Sequence, residues 1–468
     1  MYNSQLVKIL KNFSKTEIRE LTKYVQSPCF NQRADVTQLF EYLARHHGGT
    51  PSVFQKEIAF LELFPDKQYD DAFMRFLMHN LMKVIKKFLI FKEFEKDEVH
   101  EQILLLKAFK QRGFDDSFEK ELMAAEEINQ NQPFRHTHFH YQNYLIHNEK
   151  VEFISLQKRQ RGDSIQSNLN DLISFFATEI LRQANSAISD QNVSNHEYSL
   201  PLLEETLKLV ESGHFDKDTE GVAIKIYFNA FMATKTRNEL YFKQLKSMIF
   251  GNRYKFPDTE MRLLYLTAIN FCIKKMNAGV PAFRQEVFEL YDAGIQNKAL
   301  FENRLLSKFT FKNAVSAGMM QRQYDWVKGF IEKNKSFLHP KDRKAAYNFN
   351  LAVYYFRQND YVHAMPLLQF ADFGDLFTNL DARTMLLRIY YETGTTSGLQ
   401  SLMDSFQVFI SRQKDISYQK DNYLNLIRIV RKMLRLTDSD QDKKAALLEE
   451  VNRTQYLAER NWLVEKLS

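Results

Sequence analysis

A chain of 468 residues has room for two to four domains or one elongated array, and its 14 glycines and 9 prolines are under half of average usage. Turns that need those residues must be scarce, which argues against an all-β sandwich or a doubly wound sheet with a phosphate loop and leaves an all-α fold. The 64 basic and 58 acidic side chains give a net charge of only +6, too little over this surface to imply nucleic acid.

The polar start, Met1 to Gln5, runs into Lys8 and Lys11 without the apolar run of a leader, and no window reaches about 18 uncharged apolar residues. Cys29 and Cys272 lack the pattern of a disulfide framework. The expectation is a cytoplasmic protein without membrane insertion. Residues 1–97 read as a small module of five helices. Ser14-x-x-Glu17 is a capping box, Pro28 closes that helix, and Asp35-x-x-Gln38 opens the next. Thr50-Pro51 starts a short helix ending near Phe64-Pro65. After Asp70-Asp71, the residues Phe73, Leu77, Leu81, Val84, Phe88 and Phe91 recur every three or four positions, the stripe of a core-facing helix.

Residues 98–218 read as irregular helical hairpins. Residues 113–116 break one pair, 129–133 end it, and the polar run 186–199 reads as a long exposed loop. Over 219–412 the first helices of successive pairs are marked near Thr219, Asp258, Lys298, Pro340, Asn379 and Ser417. That period of about 40 residues is the signature of an α-solenoid. Residues 413–468 read as capping helices, with Ala446 to Leu467 a single helix bearing Leu447, Val451, Ala458 and Trp462.

One stretch carries a family likeness. Leu351-Ala352, Tyr355, Asn359-Asp360-Tyr361, Ala364, Leu368 and Ala371 are spaced so that the segment resembles a tetratricopeptide repeat, with Asn359 where a turn glycine usually stands. Leu386-Leu387, Tyr390, Gly394, Leu399 and Met403 resemble a second copy with leucine at both small positions, and Tyr324, Val327, Ile331 and Pro340 resemble the end of a third. The resemblance covers about residues 305–412. It implies a right-handed superhelix of hairpins whose first helices line a groove for a protein or peptide partner. Ala352, Ala364 and Ala371 would let helices approach closely, and Tyr355 and Ala364 are expected to be buried between them.

Counted in that register, the groove receives Ala346, Phe349, Val353 and Phe356 from one hairpin, and Asp381, Thr384, Arg388 and Tyr391 from the next. Lys312 and Met319 come from the weaker repeat before them. The strip is apolar through Phe349, Val353, Phe356 and Tyr391 with Lys312 and Arg388 as cationic ends, which suits a segment with an apolar anchor and an acidic group. An unpaired arginine is seldom buried for packing alone, so Arg388 is expected to be free for a partner.

No catalytic or cofactor-binding motif is expected. Gly48-Gly49 and Gly394-x-x-x-Gly398 lack the rest of a nucleotide loop, and neither His-Glu-x-x-His nor Gly-x-Ser-x-Gly occurs. His136 and His140 share a helix face, with His138 and His147 nearby, but no carboxylate or thiolate stands at matching spacing, and a histidine cluster on an aromatic-rich helix is the plainer reading. Asp438, Asp440, Asp442 and Glu449 fall at calcium-loop positions, yet Lys443 occupies the glycine position, so an acidic helix cap is expected instead. Residues 301–350 carry ten Lys or Arg against four Asp or Glu, a charge that solvated helix faces ordinarily explain. The alternative function is a transcriptional regulator whose N-terminal module is a helix-turn-helix bearing Arg75, Lys83, Lys86 and Lys87.

Overall fold

The computed structural model describes residues 1–157, 162–191, 194, 196–216, 221–369, 373–413, 419–437 and 440–468. Among them are 23 α-helices, three short 3-10 helices and no strand beyond two isolated bridges. The protein is all-α. No helix among the described residues is long and apolar enough to cross a membrane. The chain divides into two compact units, Met1–Gln183 with Leu200–Ile224, and Ala184–Ser199 with Lys225–Ser468.

The first unit opens with α1 (Gln5–Asn12), α2 (Lys15–Gln26), α3 (Ala34–Arg45), α4 (Lys56–Leu63) and α5 (Asp71–Phe94). Ser14 and Glu17 form the reciprocal capping box, with bonds of 2.7 and 3.2 Å. The short helix expected after Thr50 is split into a 3-10 turn over Pro51–Phe54 and α4. Along α5 the buried stripe is Met74, Leu77, Leu81, Val84, Ile85 and Phe88. Phe91 lies instead at the rim, against Tyr24 and Phe30. The stripe packs on α2, α3 and α4, and the opposite face leaves Lys83, Lys86 and Lys87 exposed.

Next come α6 (Glu98–Arg112), α7 (Asp115–Asn131) and α8 (Thr137–Gln157), which pack on one another. Gly113 turns the chain between α6 and α7 at φ 71, a conformation glycine adopts without steric cost. Then follow α9 (Gly162–Gln191) and α10 (Leu203–Glu211). The loop expected over 186–199 is corrected in its first part, because α9 continues to Gln191; the described residues beyond it, 194 and 196–199, are non-helical. Leu181, Ala184 and Ala187 are buried at helical spacing, so Ser186, Ser189 and Asp190 are the wet face of an amphipathic helix.

Helix α11 (Val222–Thr236) belongs to the second unit from Lys225 on, and that unit also contains α12 (Glu239–Gly251), α13 (Asp258–Asn277), α14 (Phe283–Gln296), α15 (Lys308–Met320) and α16 (Tyr324–Asn334). It continues with α17 (Pro340–Arg357), α18 (Tyr361–Leu368), α19 (Leu376–Glu392), α20 (Thr396–Arg412), α21 (Gln419–Met433), α22 (Gln441–Arg453) and α23 (Arg460–Leu467). From α12 onward, close backbone packing runs between helices that are consecutive or one removed.

Two of the expected starts, Asp258 and Pro340, open α13 and α17. The start expected near Lys298 does not exist. Lys298, Asn303 and Arg304 have φ of 61, 49 and 64, and α15 begins at Lys308 behind Ser307, whose hydroxyl accepts the Thr310 N–H at 3.0 Å. Helix α19 starts at Leu376, ahead of Asn379, because Asp375 caps it at Thr378. Thr219, Ser417 and Ala371 lie outside the described residues.

Asn359 turns the chain between α17 and α18 at φ 58, as Gly394 does between α19 and α20 at φ 67, which is why an asparagine can stand in the glycine position. Ala352 and Ala364 are fully buried where α17 meets α18. The expectation for Tyr355 is corrected: it is half-buried and stacks on His363 at 5.1 Å, while Tyr354 takes the buried place.

The single helix expected over 446–467 is two helices broken at 454–459, with Glu459 at φ 57. Arg460 holds the break by donating to the carbonyls of Val451 and Thr454. The break lets Trp462 reach α19, where its indole N–H donates to Glu392 at 2.7 Å.

Candidate functional site

Helices α15, α17 and α19 bring seven of the ten groove residues together, Asp381 and Thr384 among them and Ala346 not. Lys312, Phe349, Val353, Phe356 and Arg388 line one cavity of about 270 Å³ in the second unit. Met319 is buried away from it, and Tyr391 turns its ring edge-on to Trp462 at 5.3 Å. These two are not part of the site. Phe349 and Phe356, 3% and 6% exposed, belong to the hydrophobic core and form the cavity floor, so Val353 is the apolar side chain left half-exposed between them. The continuous apolar strip is therefore interrupted, because the rings complete the packing of α17 against its neighbours.

Both expected cationic ends are held by the protein itself. Lys312 pairs with Asp381 at 2.9 Å and lies 5.0 Å from the Phe349 ring. Arg388 pairs with Glu459 at 2.7 Å, its guanidinium between the rings of Phe356 and Trp462 at 4.9 and 5.3 Å. The expectation of a free Arg388 is corrected on that geometry. Tyr423, also on the wall, is pushed to about 12 by burial and then by the nearby carboxylates of Asp381 and Glu459, so its phenol stays protonated.

Seven wall residues were not expected in the groove, Asn350, Tyr423 and Glu459 among them. Asn350 sits between Phe349 and Leu351 and is 2% exposed, a polar residue at a core-facing position that could have been noticed. Glu459 and Tyr423 come from the C-terminal helices, and nothing local announces them. Another cavity of about 390 Å³, lined in part by Thr234, Phe271, Ile273 and Lys275, draws in none of the expected residues. Its Lys275 is engaged by Glu239 at 2.9 Å.

The histidine region lies in the first unit and is woven into a polar network. Gln142 donates to Asp97 at 2.7 Å, Gln132 to Gln142 at 2.7 Å and Asn129 to Asn143 at 3.0 Å. Asn143 donates to Asp171 at 3.1 Å, His147 bonds Asp171, and Lys150 donates to Glu126 at 3.0 Å. The Asp171 and Glu126 carboxylates hold the His147 imidazolium up to about 9, and burial pushes His136 down to about 4. Glu149 is buried on Lys110 at 2.6 Å. Among the described residues no three His, Cys, Asp or Glu side chains gather as a metal site.

Of the calcium-loop positions, Asp438 lies outside the described residues. Asp440 is taken by Lys443 at 2.7 Å and by Thr437, which hold its carboxyl well below the usual range, and Glu449 pairs with Arg453. Millimolar calcium is accordingly expected to leave the melting temperature unchanged. A rise of several degrees that Glu449→Gln abolishes would overturn this.

Part of the basic charge over 301–350 is internal. Besides Lys312, Lys335 pairs with Glu332 at 2.8 Å, and Arg343 donates to the carbonyls of Ser336 and Leu338. In the N-terminal module Arg75 pairs with Asp71 at 2.9 Å. Compared with protein-family models, curated proteins and solved structures, the chain matches none.

Proposed function

We propose that the protein is a non-enzymatic, cytoplasmic adaptor, a TPR-like solenoid that binds a protein or peptide segment in the groove between α15, α17 and α19. The observation that carries this reading is the convergence of Lys312, Phe349, Val353, Phe356 and Arg388 on one cavity, although they were picked by repeat register from three successive hairpins. Packing chiefly between neighbouring helices, with a left-handed turn inside each of two successive hairpins, is what a solenoid of hairpins requires. The step from that architecture to binding is an analogy with other solenoids, supported by a cavity whose floor is aromatic and whose walls are polar.

The test is affinity capture with the full-length protein, washed at rising salt to separate protein from nucleic-acid partners. Val353 is half-exposed and the Lys312–Asp381 pair is partly exposed, so Val353→Glu and Lys312→Gln are expected to fold normally. Val353→Glu is expected to lose the main partner at least tenfold. Equal capture by wild type and both variants would move the site elsewhere.

A further inference from the structure

The cavity of about 390 Å³ lies in the second unit, where the ends of α9 and α11 meet α13. Part of its lining is apolar. Ala233 and Phe271 are buried and Ile273 is half-buried, while the hydroxyls of Thr234 and Thr267 are spent on the Ala230 and Leu263 carbonyls of their own helices at 3.0 and 2.9 Å. Phe271 is fixed by stacking on Phe242 at 4.8 Å, so this surface is formed before any ligand arrives. The volume is that of a small-molecule site.

The rest of the lining is cationic. Arg237, Lys274 and Lys275 border the same space, and no described Asp or Glu does. Lys275 is answered from outside the lining by Glu239, whereas Arg237 is exposed and forms no ion pair among the described residues. The Lys274 ammonium is held below its usual range by partial burial and then by the Arg237 charge, so two like charges crowd one opening. Basic residues in a last turn ordinarily answer a helix's carbonyl end, and Lys274 and Lys275 do stand in the last turn of α13. That dipole does not call for Arg237, which comes from beyond another helix to the same hollow.

We infer that this cavity binds a small amphiphilic monoanion, a carboxylate on an aliphatic or aromatic body, with the body against Ala233, Phe271 and Ile273 and the carboxylate on Arg237 and Lys274. The anion relieves the crowding of the two cations, and the arginine fork matches a carboxylate's two oxygens. The site shares no residue with the groove between α15, α17 and α19.

The experiment titrates the full-length protein calorimetrically with sodium octanoate, octanol, sodium acetate and octyltrimethylammonium, each below the concentration at which it aggregates. One octanoate should bind per chain, octanol about tenfold more weakly, and acetate and the ammonium not measurably. Arg237→Gln, at an exposed position, should fold normally, weaken octanoate about tenfold and leave octanol unchanged. Thr267→Phe, which fills the cavity from a half-buried position, should abolish both. If Thr267→Phe melts well below wild type, Asn270→Trp fills the cavity from an exposed lining position instead. Val353→Glu should alter neither titration, so the peptide groove and this site stand or fall separately. Octanol binding as tightly as octanoate, or octanoate binding that survives Arg237→Gln, would leave the cations with only helix ends to serve and overturn the inference. So would the absence of octanoate binding, or uptake of several octanoates per chain that the filled variant does not reduce.

Discussion

Ala364→Glu is expected to abolish the cooperative melting of the second unit near the wild-type temperature. Ala364 is completely buried on α18, in the core that contains Phe349, Ala352, Phe356, Leu368 and Leu387. A glutamate there brings four extra heavy atoms beyond Cβ into the packing between α17 and α18, and a charge with no route to water. Overpacking alone costs about 1–3 kcal/mol, and an uncompensated buried charge about 3–5 kcal/mol more. The sum is a large share of what holds a domain of this size together. Calorimetry of the full chain should show the second unit's transition lowered by ~10 °C or more. Ala364→Gly, which only loosens the backbone, is the control and should cost about 1 kcal/mol. An Ala364→Glu variant that melts normally would mean that α17 and α18 do not pack through this face.

The first unit should lose stability as pH rises from neutrality to alkaline values, and His147 should be the cause. Its imidazole lies between Asp171 on α9 and Glu126 on α7, and Lys150 contacts the same Glu126 oxygen, Oε1. The two carboxylates raise its folded pKa to about 9, above the ordinary 6.5. A base with a raised folded pKa gives stability that is complete below the unfolded value and disappears as pH climbs through the folded one, here from about 6.5 to about 9. The side chain is one-fifth exposed and Glu126 one-third, so solvent screening reduces the effect to ~1–2 kcal/mol.

Two neighbours set the acidic side. Glu126 is drawn down to about 2, first by its bond to His147, and gives stability above its ordinary value that is lost as pH falls toward 2. His136, pushed to about 4 by burial, resists protonation, so its environment also destabilises the fold as pH drops below 6.5. Urea denaturation at pH 6.5 and 9.5 should therefore show a loss of ~1–2 kcal/mol in wild type and little change in His147→Gln. Equal losses in both proteins would assign the alkaline effect to other groups.

The helical fold was legible in the composition and spacing because both report local physics. Scarce glycine and proline leave long uninterrupted helices, and the starts at Asp258 and Pro340 follow from residues within one turn. Where local signals conflicted with packing, packing prevailed. The polar stretch after Ser186 looked like a loop until Ala184 and Ala187 were seen to be covered, and Ala446 to Leu467 looked like one helix until Trp462 was seen to be drawn back to Glu392.

What the sequence by itself determined is an all-α chain and the left-handed turn at Asn359; that Lys312, Val353 and Arg388 share one space was only what the repeat resemblance implied. The first two are properties of the helix period and of single-residue backbone preferences, which act over a few residues. Only the tertiary structure decided what that space contains. Glu459 and Trp462 lie some seventy positions beyond Arg388 and Glu392, and no periodicity links them. Their arrival turns Arg388 from a free cation into a neutralised wall. Among the described residues Arg388 Nε, like Asn350 Oδ1, is buried without a hydrogen-bond partner. A helix's own sequence fixes which faces it has; which of those faces is covered, and by what charge, depends on chain that returns from far away.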